Sequence, residues 1–164
     1  DLRKGFKELS KAIMELKLDD VEIIVFGSSQ PKNLPNLGSR IHYLGNLHDD
    51  VSLVSLYSAV DVMVVPSLQE NLSNAIMESL ACGTPVVGFN IGGNVDMIQH
   101  RVNGYLAKPF ASEDLANGIN WVLNTPTYKD LCVNSRKKVL KNFDSDIVAD
   151  KYIKLYEEII TKTI

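Results

Sequence analysis

The chain has 164 residues, 45% of them apolar and 23% charged, the balance of an ordinary globular domain with a substantial core. A formal net charge of −3 offers no broad basic surface for nucleic acid or anionic membrane, and no apolar run approaches the roughly 20 residues of a membrane-spanning helix. Cys82 and Cys132 form no CxxC or metal-spaced pattern and read as free packing thiols of a reducing compartment.

Leu2 to Leu18 predict an amphipathic helix. Phe6, Leu9, Ala12, Ile13 and Leu16 form its apolar stripe, and Lys7, Glu8, Lys11, Glu15 and Lys17 fall outside it. Val21 to Phe26 is expected as a buried strand ending in Gly27-Ser28-Ser29, and Gln30 to Ser39 as a loop rich in Pro, Asn and Gly. Ile41 to Leu44 reads as a short strand that ends in Gly45-Asn46-Leu47. His48-Asp49-Asp50 opens another helix, with Asp49 or Asp50 as N-cap and Leu53, Leu56, Tyr57 and Val60 on its inner face.

Asp61 to Pro85, DVMVVPSLQENLSNAIMESLACGTP, is the stretch around which the rest is arranged. Val62 to Val65 is short, apolar and β-branched, as strands buried on both faces of a parallel sheet are. Pro66-Ser67 stops it, and a polar turn leads into a helix at Asn74–Ala81. There Ile76, Met77, Leu80 and Ala81 recur at helical spacing, until Gly83 and Pro85 end the helix. A helix N-terminus at the carboxyl end of a parallel strand offers free N–H groups and a partial positive charge, a seat for an anion. Glu70 falls just before that N-terminus and Glu78 within the helix. Taken singly, each is an ordinary charge on a helix; the two together beside an anion seat call for a further explanation.

Val86 to Phe89 is a third strong strand, followed by Ile91-Gly92-Gly93-Asn94-Val95-Asp96, and Asn103-Gly104 turns into a last strand at 105–107. Ser112 is expected to cap a helix through about Leu123, with Glu113 and Asp114 in its first turn. Tyr128 to Lys141 is a further helix whose Lys137, Lys138 and Lys141 complement its dipole. Asp144 starts a long final helix carrying Val148, Tyr152, Leu155, Tyr156 and Ile159. Strands alternate with helices throughout, the pattern of a doubly wound parallel α/β sheet.

Pro66-Ser67, Glu70, Glu78 and the run Ala81-Cys82-Gly83-Thr84-Pro85-Val86-Val87 closely resemble the donor-site signature of retaining glycosyltransferases of the GT-B fold, family 4 (group 1) type. That signature reads approximately P-S-x-x-E-G-F-G-x-x-x-x-E-A-x-A-x-G-x-P-V-V. The resemblance implies a Rossmann-like C-terminal half of a GT-B enzyme, with a nucleoside-diphosphate sugar as donor and no metal or cofactor besides. It gives Glu70 the donor sugar hydroxyls and the catalytic place, and Glu78 the ribose. The backbone N–H groups of Asn71, Leu72, Ser73 and Asn74 hold the diphosphate; Asn71 and Ser73 stand where the family often has glycines. A vicinal diol can give a carboxylate two hydrogen bonds, so the assignment is chemically sound.

Outside this stretch, Lys4-Gly5 matches a family K-G pair whose lysine meets the diphosphate; read alone, Lys4 is a solvated lysine. Leu47 either packs on the donor base or is a simple turn residue. Gly92-Gly93 matches a family G-G-x-P-E, where they let the backbone lie close to the donor, but Asp96 replaces the Glu and the Pro is absent. His42, His48 and His100 match no family motif and are expected to be structural or surface residues.

In the family a β-strand precedes the K-G helix and lies mid-sheet. Residues 1–164 are therefore expected to be one donor-binding domain, N-terminally truncated, lacking that first strand and the acceptor domain. The implied partners are the donor and a sugar, polysaccharide or lipid-linked acceptor, with no nucleic acid. The implied location is the cytoplasm, and the missing N-terminal domain could touch a membrane peripherally. Two other readings remain: a non-catalytic nucleotide-sugar-binding module, and another GT-B enzyme such as a nucleotide-sugar 2-epimerase.

Overall fold

The computed structural model describes residues 2–16, 21–28, 30, 37–38 and 40–163, in which strands are interleaved with helices and three helices follow one another at the carboxyl end. Leu2–Lys4 forms a 3-10 turn, and α1 follows at Phe6–Leu16. The expected single helix from Leu2 is thus split at Gly5. This residue takes φ +67°, and its missing side chain leaves room for the Pro66 carbonyl. Phe6, expected on the inner stripe, is exposed, whereas Ala12 and Ile13 are buried. Lys17, Leu18, Ser29 and most of the expected 30–39 loop lie outside the described residues.

The strands are β1 (Glu22–Phe26), β2 (Arg40–Gly45), β3 (Met63–Val65), β4 (Val86–Phe89) and β5 (Gly104–Ala107). Between and after them come α2 (Asp50–Ala59), α3 (Asn74–Ala81), α4 (Asn94–Met97), α5 (Ser112–Asn124), α6 (Tyr128–Asn142) and α7 (Ser145–Thr163). Among the described residues the strand pairs are all parallel, with one isolated antiparallel bridge between Ser28 and Gly45. β1 pairs with β2, and β3-β4-β5 form a second sheet in which Val64 lies opposite Val87 and Val87 opposite Tyr105.

Alternate residues of the three-stranded sheet feed two cores, as the pleat requires. Val64, Val87, Phe89, Tyr105 and Ala107 pack with Ala12 of α1 and with Leu115, Ile119 and Val122 of α5. Met63, Val65, Val86 and Leu106 pack on the other face with Ile76 and Leu80 of α3, Met97 of α4 and Val139 of α6. The sheet is therefore covered on both sides, the doubly wound arrangement expected from the alternating pattern.

Three helix starts refine the expectations. Asp49, not Asp50, caps α2: its Oδ1 accepts the Ser52 N–H at 2.8 Å, which holds its carboxyl below the usual carboxylate range. Ser112 caps nothing, for it is already the first helical residue of α5. Asp114 orders that start instead, accepting the Lys108 N–H at 2.7 Å and the Tyr105 hydroxyl at 3.1 Å. The segment after Gly93, to which the sequence assigns no element, closes into the single turn α4. On α7 the apolar stripe of Tyr152, Leu155, Tyr156 and Ile159 is exposed.

Gly118 gives a direct test of this packing. An alanine is favoured over glycine inside a helix by about 1 kcal/mol. A Cβ at Gly118, however, would sit 2.5 Å from Cδ1 of Tyr105 and 3.0 Å from Cγ1 of Val87. Overpacking of that kind costs roughly 1–3 kcal/mol and outweighs the helical gain. Gly118→Ala should therefore lower the urea midpoint, although it improves helix propensity.

Candidate functional site

Three turns meet beyond the carboxyl end of β3. Pro66 ends the strand because it has no N–H to continue the ladder, and the next residues turn back over α1. The Leu68 N–H donates to the Arg3 carbonyl at 2.7 Å, and Gly5 lies directly against the Pro66 carbonyl. From the other side come Gly92, at φ +44°, and Gly93, which rest on the carbonyls of Glu70 and Asn71. A Cβ on either glycine would collide with those oxygens. The β3–α3 loop is thus gripped main chain against main chain by two neighbours. The glycine pair expected to let the backbone lie close to the donor has, on this side, the backbone of the β3–α3 loop against it.

The grip fixes Glu70. One of its carboxylate oxygens, Oε2, is buried and has no hydrogen-bond partner among the described residues, and the ammonium of Lys4 stands 3.5 Å from it. The Lys4 side chain is 67% exposed and that of Glu70 15% exposed, so the ion pair itself contributes at most about 1 kcal/mol. An oxygen withdrawn from water without a donor is costly to leave unsatisfied.

Glu70 leads into the N-terminus of α3. Ser73 is its N-cap, buried and in extended conformation, but its hydroxyl makes no capping bond. The first-turn N–H groups have no partner within the helix, so its positive end is open. Asn71, Leu72 and Asn74 around it are exposed. At the opposite end the Arg136 guanidinium donates to the Ala81 carbonyl at 2.6 Å and places a positive charge on the negative end of the helix.

Glu78, about 6 Å further along the axis than Asn74, receives the Tyr57 hydroxyl on Oε2 at 2.9 Å. Burial first, then the bond to Glu78 and its charge, push the Tyr57 phenol far above its ordinary range, so it remains a donor. Nothing in the local sequence signals this bond, which spans 21 residues. The heptad face of α2 placed Tyr57 inside, without showing what it met there.

The structure therefore gathers Lys4, Glu70, Asn71, Leu72, Ser73 and Asn74 in one place and sets Glu78 on the same helix. Leu47 is half-buried in the β2–α2 turn, and Asp96 is exposed on α4. Nε2 of His42 pairs with Glu22 at 2.8 Å, Nδ1 of His100 accepts the Leu106 N–H at 3.2 Å, and His48 is exposed before α2. Among the described residues no three His, Cys, Asp or Glu side chains are grouped to hold a metal ion. No described helix is long and apolar enough to cross a membrane.

A parallel α/β domain of this form, with an open helix N-terminus at its carboxyl edge, is the C-terminal domain architecture of GT-B glycosyltransferases. The profile of the family Glycosyl transferases group 1 matches residues 1–125, and the chain belongs to that family. It is 30% identical over 164 residues to an uncharacterized glycosyltransferase of Methanocaldococcus jannaschii, with 94% of this chain and 42% of the relative covered. It is 29% identical over 162 residues to the N,N'-diacetylbacillosaminyl-diphospho-undecaprenol alpha-1,3-N-acetylgalactosaminyltransferase of Campylobacter jejuni, covering 96% of this chain and 42% of the relative. The structure of Anabaena HepE in complex with UDP superimposes with a TM-score of 0.83 at 25% identity, over 96% of this chain and 46% of HepE. The chain thus spans less than half the length of each of these proteins.

The grip on the loop can be tested at Gly92. Gly92→Ala adds both a clash with the Glu70 carbonyl and an unfavourable positive φ, together costing roughly 1–3 kcal/mol. We expect a lower denaturation midpoint, with the largest amide chemical-shift changes at Glu70 and Asn71 rather than around α4.

Proposed function

We propose that this chain is the donor-binding domain of a retaining glycosyltransferase, which moves a sugar from a nucleoside-diphosphate sugar to a glycan, lipid or other acceptor. The observation that carries the proposal is the largely buried Glu70 carboxylate, paired with Lys4 and held by its backbone beside an open helix N-terminus. Sugar hydroxyls donate to the Glu70 carboxylate from its partly exposed side, the Glu70 side chain keeping 15% of its surface open. The N–H groups of Asn71 to Asn74 and the Lys4 ammonium receive the diphosphate, Glu78 the ribose diol, and Leu47 the base. In the reaction the bond between the anomeric carbon and the diphosphate oxygen breaks, a bond from that carbon to the oxygen of an acceptor hydroxyl forms, and the hydroxyl's proton passes to the departing diphosphate. The charge left on the diphosphate is met by the helix N-terminus and Lys4. Glu70, in contact with the sugar, is the catalytic residue on this side of the cleft. The HepE complex makes a uridine diphosphate sugar the first donor to try, and we place the enzyme in the cytoplasm.

The two glutamates separate by ligand. A charge-assisted hydrogen bond contributes about 1.5–3 kcal/mol, equivalent to roughly ten- to a hundredfold in affinity. Glu78→Ala should weaken UDP and UDP-glucose alike, whereas Glu70→Ala should weaken UDP-glucose and spare UDP. Titration calorimetry on the full-length protein, with folding followed by circular dichroism, reads both. Equal losses for the two ligands in Glu70→Ala would remove the sugar assignment.

We further propose that residues 1–164 are one domain whose central strand comes from upstream. Arg3 bonds Leu68 at the carboxyl end of β3, where a parallel strand leading into α1 would finish. Phe26 at the end of β1 meets Tyr57, whose helix also touches α3, so β1 is the near edge of its sheet. One added strand would join β2-β1 to β3-β4-β5 and pair both edges. Hydrogen exchange checks this: amides of β1 and β3 should gain protection when the natural upstream segment is present. Unchanged exchange in the longer chain would count against it.

A further inference from the structure

Tyr57 is held on three sides. Its side chain is buried to 1% exposure, the ring of Phe26 meets it edge-on at 5.7 Å and 87°, and its own carbonyl accepts the Thr84 hydroxyl at 2.5 Å. Thr84 is in turn fixed to the end of α3, its N–H donating to the Ser79 carbonyl at 3.0 Å and its carbonyl accepting the Ser79 hydroxyl at 3.1 Å. From this fixed place the phenol donates to Oε2 of Glu78.

Glu78 itself is exposed, so water could satisfy its carboxylate equally well. What the tyrosine adds is immobility. A glutamate on a helix surface samples several rotamers, and selecting one of them on ligand binding costs entropy. With Oε2 occupied by Tyr57, Oε1 is the oxygen left to accept from a ligand.

We propose that Tyr57 is a positioning residue for nucleotide recognition, pinning one oxygen of Glu78 so that the other is presented to the ribose diol. The proposal rests on the ribose role given to Glu78 above. It assigns Tyr57 no contact with the ligand and no part in bond making. The device also crosses elements: Phe26 and Thr84 hold a residue of α2 in register with a residue of α3.

The test is Tyr57→Phe in the full-length protein, which keeps the buried ring and removes only the hydroxyl. UDP and 2′,3′-dideoxy-UDP are titrated calorimetrically, the second ligand having no ribose hydroxyls for Glu78 to meet. Freeing one glutamate side chain sets the expected loss for UDP at about three- to tenfold, with the dideoxy ligand unchanged. In a Glu78→Ala background the same substitution should cost UDP nothing. Equal loss of both ligands in Tyr57→Phe would show a general disturbance and overturn the proposal. So would full UDP affinity in Tyr57→Phe while Glu78→Ala binds weakly, and that outcome leaves the ribose role of Glu78 standing. If Glu78→Ala also binds UDP normally, the ribose role falls and the positioning role falls with it.

Discussion

Contact of main chain with main chain, with no side chain between, is the constraint on which the site depends. The loop from Pro66 to Ser73 touches Gly5 on one flank and Gly92-Gly93 on the other, at separations that leave no space for a methyl group. Side chains tie it far more loosely, since Lys4 reaches Glu70 only at 3.5 Å from a largely exposed position. Backbone contacts of this kind have little freedom to rearrange, because moving the loop means moving α1 or the β4–α4 turn. Both are anchored in the core, α1 through Ala12 and the β4–α4 turn through Phe89 and Met97. The direction of Glu70 and of the α3 N-terminus is therefore set by sheet packing, several residues away from either.

Much of this could be read from the sequence wherever punctuation is local. Pro66, Gly83 and Pro85 bracket α3 and β4, and both elements begin and end at the expected residues. The places of Glu70 just before α3 and Glu78 within it were legible from spacing as well. Other features were hidden because distant segments decide them. The periodicity from Leu2 reads as one continuous helix, and only the Pro66 carbonyl against Gly5 makes that residue a break. Ser112 had the right chemistry for a cap, but Asp114 reaches the Lys108 N–H and the helix starts one residue earlier than a Ser112 cap would allow. The bond from Tyr57 to Glu78 joins two helices with a strand between them, and no pattern within either helix announces it.

The helix α3 is electrically lopsided as a result of its neighbours. Its carboxyl end is closed by Arg136 and by the Cys82–Thr84 turn, whose N–H groups donate back to Glu78, Ser79 and Leu80. Its amino end has no corresponding side-chain cap. A capped start would have stabilised the helix by about 1 kcal/mol. Instead the donors stay open, and the short helix relies on Ile76 and Leu80, both fully buried, to stay in place.

Because the loop is held by its backbone, the outward side chains of Asn71, Leu72 and Asn74 carry little structural duty. Substitutions there reshape the rim of the site without loosening the scaffold, whereas Gly5, Gly92 and Gly93 accept almost no replacement. A change at any of the three exposed positions leaves the backbone contacts of the three glycines as they are. In such a domain the outline of the exposed rim and the stability of the scaffold rest on different residues, so the one can be altered by mutagenesis with little effect on the other.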